Sequence, residues 1–130
     1  MLFTMMMAFV LSLQAAAPEA APHNERTPKH WTGVPWSKMP LPELPPGARG
    51  TLQAEVSCTA GSRNRVISCR LERELPAEGN FGRNVLRSLR DARTRGERIQ
   101  PGDTMTFIVW ACADVEPGTQ CQKLPWPEEQ

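Results

Sequence analysis

The chain has 130 residues, of which 40% are hydrophobic, and its 15 basic and 14 acidic residues leave a net charge of +1. This length fits one small domain with appended segments. The charge balance excludes a histone-like basic protein and a highly acidic one, but it allows a local basic face. Eight of the 13 prolines lie between residues 18 and 46, where they disfavour helices and central strands.

The N-terminal segment, residues 1–17, combines an apolar run from Leu2 to Leu13 with alanines at 15–17. This pattern is typical of a secretory signal peptide. The alternative is an uncleaved membrane anchor, although its roughly 12 to 16 apolar residues fall short of the 20 or so that span a bilayer. Both interpretations place the rest of the chain outside the cytoplasm, either periplasmic or secreted, or anchored in the inner membrane and facing the periplasm.

Three further segments follow. Residues 18–47 are predicted to form a proline-rich linker that extends without packing. Trp31 and Trp36 interrupt it, and either they dock on the domain or their positions are incidental. The folded domain is predicted at residues 48–124, with a flexible tail at 125–130.

Four cysteines in an exported chain predict two disulfides. Their spacing is not that of a zinc site, and four cysteines allow three connectivities. Sequence-local pairing, which would join Cys112 to Cys121, is the preferred interpretation of the second pair.

Two alternating segments, residues 51–60 and 65–75, predict a hairpin of half-buried strands around a turn. When Cys58 lies opposite Cys69, the neighbouring pairs are all apolar: Ala60 with Ile67, Val56 with Leu71, and Leu52 with Leu75. A slip by one residue would oppose apolar and polar faces. The alternation therefore predicts a Cys58–Cys69 disulfide.

A helix is predicted over residues 81–94, with Asn80 as its N-cap. Its apolar arc comprises Phe81, Val85, Leu86, Leu89 and Ala92. Arg83, Arg87 and Arg90 lie together on the opposite side and form a candidate basic face. A third strand is predicted at 104–112. It is apolar on both faces, which indicates that both are covered.

No enzyme signature is found in the sequence. The two histidines, His23 and His30, both lie in the predicted linker, so a Ser–His or Cys–His pair cannot be assembled in the domain. Because no metal-ligand cluster, P-loop or dinucleotide motif occurs, we expect a non-enzymatic protein without metal or cofactor.

Residues 61–100 hold ten arginines and five acidic residues. This excess is either an ordinary solvated face or a surface that attracts anionic proteins or envelope polymers. Nucleic acid is not an expected partner, because aromatic and basic residues do not alternate in the chain.

Three segments carry a resemblance to a known family: CTAGSRNRVISC at 58–69, PAEGNFGRNVLRSLRDA at 76–92 and GDTMTFIV at 102–109. Together with the order strand, strand, helix, strand after a proline-rich linker, they resemble the C-terminal domain of the TonB family. The resemblance implies an α+β fold in which a small three-stranded antiparallel sheet packs against one helix.

The resemblance also implies a function. In that family, the periplasmic domain binds a short peptide of an outer-membrane receptor by pairing with an edge strand, in energy-coupled transport. On that basis the last strand is the candidate partner-binding edge, with Thr104, Thr106, Ile108 and Trp110. The partner expected is thus a protein or extended peptide, and a membrane is involved only if residues 1–17 are uncleaved.

The chain departs from the family pattern in its cleavable N-terminus, its second disulfide and its Pro–Trp tail. The alternative function is therefore a secreted, disulfide-stapled structural or inhibitory protein. Such a protein would bind through the loop between Cys112 and Cys121.

Overall fold

A computed structural model of the protein describes residues 26–116 and 121–129. The predicted signal peptide or anchor at 1–17 lies outside this range. The strands are β1 (His30–Thr32), β2 (Trp36–Lys38), β3 (Gly50–Ala60), β4 (Val66–Leu75), β5 (Arg93–Thr94) and β6 (Thr104–Ala113). One α-helix, α1, spans Phe81–Ser88, and short 3-10 turns span Ser62–Asn64 and Pro127–Glu129.

The main sheet has four strands in the order β1-β6-β3-β4. Strand β3 is antiparallel to both β4 and β6, whereas β1 is parallel to β6. Strands β2 and β5 form a separate antiparallel pair. The α+β class and the three central strands agree with the prediction, but the expected purely antiparallel three-stranded sheet is wrong, because the sheet is mixed and gains a fourth strand.

The additional strands come from the segment that was predicted to extend without packing. Trp31 lies in β1 and Trp36 in β2, and both tryptophans dock on the domain. The Trp36 ring meets Phe107 edge-on, with 5.2 Å between the ring centroids. Burial of these two large side chains explains why a proline-rich segment becomes ordered here.

The β3–β4 hairpin contains the predicted Cys58–Cys69 disulfide, and Val56 lies opposite Leu71 as predicted. The other two predicted pairs are wrong by one residue. Ile67 lies opposite Thr59 instead of Ala60, and Leu75 lies opposite Gln53 instead of Leu52.

Two bulges cause these register shifts. One lies between Glu55 and Val56 and the other between Ser57 and Thr59. At the second, Ser68 on the facing strand adopts a left-handed φ of 52°. Each bulge places two residues opposite one, so the apolar side chains beyond it change partner. As a result, Ile67 is 49% exposed.

The core lies between one face of the main sheet and α1. The predicted inner face of β3 is buried, and so are the helix-side residues Phe81, Val85, Leu89 and Ala92. Gly82 sets the spacing between the helix and β4, because a Cβ on it would lie 2.5 Å from the Leu71 Cδ2 atom. No larger residue fits there without a shift of the Leu71 and Glu74 side chains or of the helix.

Helix α1 ends at Ser88, six residues earlier than predicted, and Arg93–Thr94 instead forms β5 against β2. Asn80 occupies the N-cap position with a left-handed φ of 63° and makes no side-chain capping bond. A Glu74 carboxylate oxygen accepts the Gly82 N–H at 2.6 Å instead. A side chain from β4 therefore satisfies the helix terminus that the sequence assigned to Asn80.

The second face of the sheet is partly covered by residues 121–129, which include the segment from residue 125 that was predicted as a flexible tail. The Cys112–Cys121 disulfide joins the segment to β6, as sequence-local pairing predicts. The Gln53 side chain is fully buried, donates to the Leu124 carbonyl at 2.9 Å and accepts the Leu124 N–H at 2.7 Å. Trp126 is buried as well.

Candidate functional site

The predicted partner-binding strand, β6, is an exposed edge over only part of its length. Its first residues, Thr104 to Thr106, pair with the parallel strand β1. The Thr104 N–H donates to the Lys29 carbonyl at 2.9 Å, and the Gly33 N–H donates to the Thr106 carbonyl at 3.0 Å. Thr104 and Thr106 are therefore not an open edge, which corrects half of the predicted site. Residues 30–32 lie in a proline-rich segment without a strand pattern, so this pairing could not be predicted from the sequence.

Beyond Gly33 the chain turns away from β6 to form β2. Because backbone groups alternate in direction along a strand, the N–H and C=O of residues 108, 110 and 112 point the same way as those of Thr104 and Thr106. Among residues 26–116 and 121–129, no strand pairs with β6 on that side after Thr106. We call Ile108, Trp110 and Cys112 the open edge. It retains the other two predicted site residues, Ile108 and Trp110.

An apolar groove of about 540 Å³ runs beside the open edge. Its far wall is the segment at 39–44, which the sequence analysis did not single out. Leu41 in this wall is 83% exposed, and Trp110 on the strand side is 45% exposed. Large apolar side chains on both sides of one groove are unusual on a free surface. The sequence feature from which this wall could have been found is the set of apolar residues Met39, Leu41 and Leu44, which are interleaved with prolines.

The groove wall is held in place at both of its ends. Before it, the Ser37 hydroxyl donates to the Arg93 and Thr94 carbonyls. Near the end of the wall, the Asn84 side-chain amide donates to the Glu43 carbonyl at 2.9 Å. The groove is thus a built feature of the fold, in which helix α1 and β5 position the wall.

Asp103 holds β1 against β6. It is only 1% exposed, and its carboxylate accepts hydrogen bonds from the Lys29 N–H, the Trp31 indole, the Gln100 N–H and the Arg26 guanidinium, at 2.9–3.1 Å. Burial opposes the charge of this carboxylate. The three donors at Lys29, Trp31 and Gln100, together with the charge of Arg26, outweigh burial and lower the pKa of Asp103 to about 2. The sequence analysis missed this residue, since an aspartate before a strand carries no distinctive signal.

Arg73 organises the covered part of the second sheet face. Its guanidinium lies 4.2 Å from the centroid of the Trp126 ring, which is a cation–π distance. It also donates to the Glu55 and Glu128 carboxylates. Burial lowers and these hydrogen bonds raise the pKa of Arg73, and the net effect is a rise. The C-terminal segment is thereby attached to the second face of the sheet.

The predicted basic face is exposed, with Arg83 and Arg87 on α1 and Arg90 just after the helix. None of these arginines forms an ion pair with another of the described residues. The structure does not bring this face together with the open edge.

Within the described ranges, no group of three metal-ligating side chains lies close together, and no helix is long and apolar enough to cross a membrane. Comparison with protein-family models, with curated proteins and with solved structures finds no match for this chain.

Proposed function

We propose that this protein binds an extended segment of a partner protein, which adds to the main sheet as a strand along the open edge of β6. The single observation that carries the proposal is that β1 ends at Thr32, before it reaches the second half of β6. Within residues 26–116 and 121–129, β1 pairs with β6 as far as Thr106, and no strand pairs on that side beside Ile108, Trp110 and Cys112. Backbone groups on such an edge provide affinity that does not depend on the partner's side chains.

The groove beside the edge supplies the specificity. An added strand points alternate side chains to the two faces of the sheet. One set would enter the groove between Trp110 and the wall at Met39, Leu41 and Leu44. The preferred segment is therefore extended, with apolar residues at every second position.

The resemblance to the TonB family supports the same function, because β3, β4, α1 and β6 follow one another in the order that the family implies. The domain would act outside the cytoplasm on a protein such as an outer-membrane receptor. Coupling to transport would also require residues 1–17 to remain as an anchor. The mass of the exported chain tests this, because a start near Ala16 removes the transducer role.

The binding test uses linear peptides selected from a random phage-displayed library against the full chain. Selected peptides should shift the amide signals of residues 108–112. Replacing Ile108 by proline removes an edge N–H while the hydrogen bonds to β3 remain, so binding should weaken by about tenfold. The control Ile108→Val keeps the N–H and should bind within about twofold.

Two outcomes would contradict the proposal. One is equal binding by the proline and valine variants, both checked for a native circular dichroism spectrum. The other is a set of peptide-induced shifts confined to the region between Cys112 and Cys121, which would support the secreted inhibitory alternative instead.

A further inference from the structure

A second surface, independent of the proposed peptide site, lies at the end of the molecule where the β3–β4 turn meets the loop after α1. The Thr94 hydroxyl donates to the Asn64 carbonyl at 3.4 Å. Gly96 lies so close to Asn64 that a Cβ on it would be 2.3 Å from the Asn64 Oδ1 atom. The turn and the loop therefore form one contiguous surface.

Four arginines occupy this surface: Arg63 and Arg65 from the turn, and Arg95 and Arg98 from the loop. We call them the basic end. All four are exposed, and none forms an ion pair with another residue in the described part of the chain. The acidic residue that accompanies them in the loop is Glu97.

The backbone beneath the arginines is fixed. The Arg95 N–H donates to the Pro35 carbonyl at 3.0 Å, and Ile99 is buried in the core. In the turn, the Gly61 N–H donates to the Arg65 carbonyl at 2.8 Å. The guanidinium groups thus extend from a preorganised base, which reduces the entropy lost when they bind anions.

Charge is distributed unequally along the molecule. Residues 61–100 carry ten arginines and five acidic residues, a net charge of +5, so the rest of the chain carries −4 for a total of +1. At the opposite end of the sheet, where Gly50 pairs with Ala113, Asp114 forms an ion pair with Arg49 and Glu116 is exposed, so this end carries no excess of positive charge. Such a polarised molecule orients near an anionic surface with its basic end towards it.

An apolar side chain accompanies the arginines. Ile67, 49% exposed, lies next to Gly61 at the base of the turn. Contact with an exposed isoleucine would not stabilise the binding of a soluble anionic polymer. Basic residues surrounding an apolar side chain match the interface of a bilayer, where phosphates lie above acyl chains.

We propose that the basic end docks on the surface of a membrane that contains acidic phospholipid. Arg63, Arg65, Arg95 and Arg98 contact lipid phosphates, which guanidinium groups bind in a bidentate manner, and Ile67 enters the interface. This contact leaves the open edge of β6 accessible, because the open edge begins beyond the β1 pairing and extends towards the opposite end of the sheet.

The test measures partitioning of the full chain onto two kinds of preformed vesicle, phosphatidylcholine alone and phosphatidylcholine with roughly a third of phosphatidylglycerol. The quantity of interest is the ratio of the two partition coefficients, since any purely apolar attachment contributes equally to both. We expect a ratio well above tenfold at low salt that falls towards one near molar salt, where screening is complete within about 3 Å.

Matched variants locate the contact. Arg63→Gln with Arg95→Gln should reduce the ratio by about 25-fold, because each basic residue near an anionic bilayer contributes about fivefold. Arg83→Gln with Arg87→Gln removes the same net charge from two exposed arginines on α1 that form no ion pair with another described residue, and it should leave the ratio nearly unchanged. Ile67→Ser should lower anionic partitioning several-fold, whereas Val115→Ser near the opposite end should not.

A ratio near one for the natural protein would overturn the proposal, and so would equal losses in the two double-arginine variants. Soluble polyphosphate serves as the competing ligand. If the protein binds it as tightly as vesicles, and Ile67→Ser has no effect, the basic end recognises anionic polymers rather than a bilayer.

Discussion

The β3–β4 hairpin and the two chain-end segments, residues 26–38 and 121–129, become ordered for different physical reasons. The hairpin contributes a row of alternating apolar side chains and a disulfide between its strands. The chain-end segments lack alternation, and each is fixed by a buried polar side chain, Asp103 for the first and Gln53 for the second. A repeated sequence pattern defines the hairpin, whereas contacts between residues distant in the chain define segments 26–38 and 121–129.

The largest effect expected from this comparison is at Asp103. Replacement by alanine leaves the Lys29 N–H, the Trp31 indole and the Gln100 N–H without their buried acceptor, so the free energy of unfolding should fall by about 4 kcal/mol. Urea denaturation followed by circular dichroism measures this change.

The control for that variant is Asp114→Ala. Asp114 also pairs with an arginine, Arg49 at 3.2 Å, but both side chains are exposed. Its loss should cost about 0.5 kcal/mol or less. Similar losses of unfolding free energy in the two variants would show that Asp103 does not anchor residues 26–38.

The same contrast explains what could be predicted from the sequence. Alternation correctly located β3, β4 and the Cys58–Cys69 disulfide, because a period of two persists over ten residues. Strand β6 was located instead by a run that is apolar on both faces. The two bulges were not predicted, because they depend on the tertiary packing of the β3–β4 pair. Helix α1 was predicted too long, because the competing pairing of Arg93–Thr94 with β2 is a tertiary contact.

The candidate site was predicted only in part for a related reason. Ile108 and Trp110 remain open and Thr104 and Thr106 do not, because β1 attaches to their half of the strand through Asp103. That attachment joins residues more than 70 positions apart in the chain. The groove wall at 39–44 was missed because its placement depends on Asn84 of α1.

The next effect in size concerns the disulfide of the hairpin. Replacing Cys58 and Cys69 together by alanine should lower the free energy of unfolding by about 3 kcal/mol, because the cross-link restricts the unfolded chain. Because the chain has four tryptophans, hydrogen exchange of the Trp31 indole N–H, followed by NMR, separates this variant from Asp103→Ala. Trp31 should stay shielded when the disulfide is removed and become accessible in Asp103→Ala. Exposure of Trp31 in both variants would mean that the hairpin and the N-terminal segment unfold as one unit.

Acid should weaken the N-terminal attachment by a smaller amount. The pKa of Asp103 is about 2 in the folded protein, below its ordinary value of 3.8. The unfolded chain therefore binds the proton more readily, so the contribution of Asp103 is fully present above about pH 5 and is lost as the pH falls through 3.8 towards 2. The pKa difference corresponds to about 2 kcal/mol. Between pH 5 and pH 2, the free energy of unfolding of the natural protein should fall by about 2 kcal/mol more than that of Asp103→Ala. Parallel pH profiles of the two proteins would contradict the lowered pKa of Asp103.

The smallest effect is expected at the other chain end. Gln53→Met keeps the volume of the side chain but leaves the N–H and C=O of Leu124 without their partners, so stability should fall by about 1 kcal/mol. Amide hydrogen exchange is the sharper measurement, because the loss is local: the Leu124 amide should exchange faster while β3 amides stay protected. Gln122→Met, at an exposed position on the same segment, should leave the exchange of Leu124 unchanged. If Leu124 remains protected in Gln53→Met, then Trp126, the Arg73 contacts and the Cys112–Cys121 disulfide suffice to hold the segment. The two chain ends would then differ, the first depending on one polar anchor and the second on several contacts together.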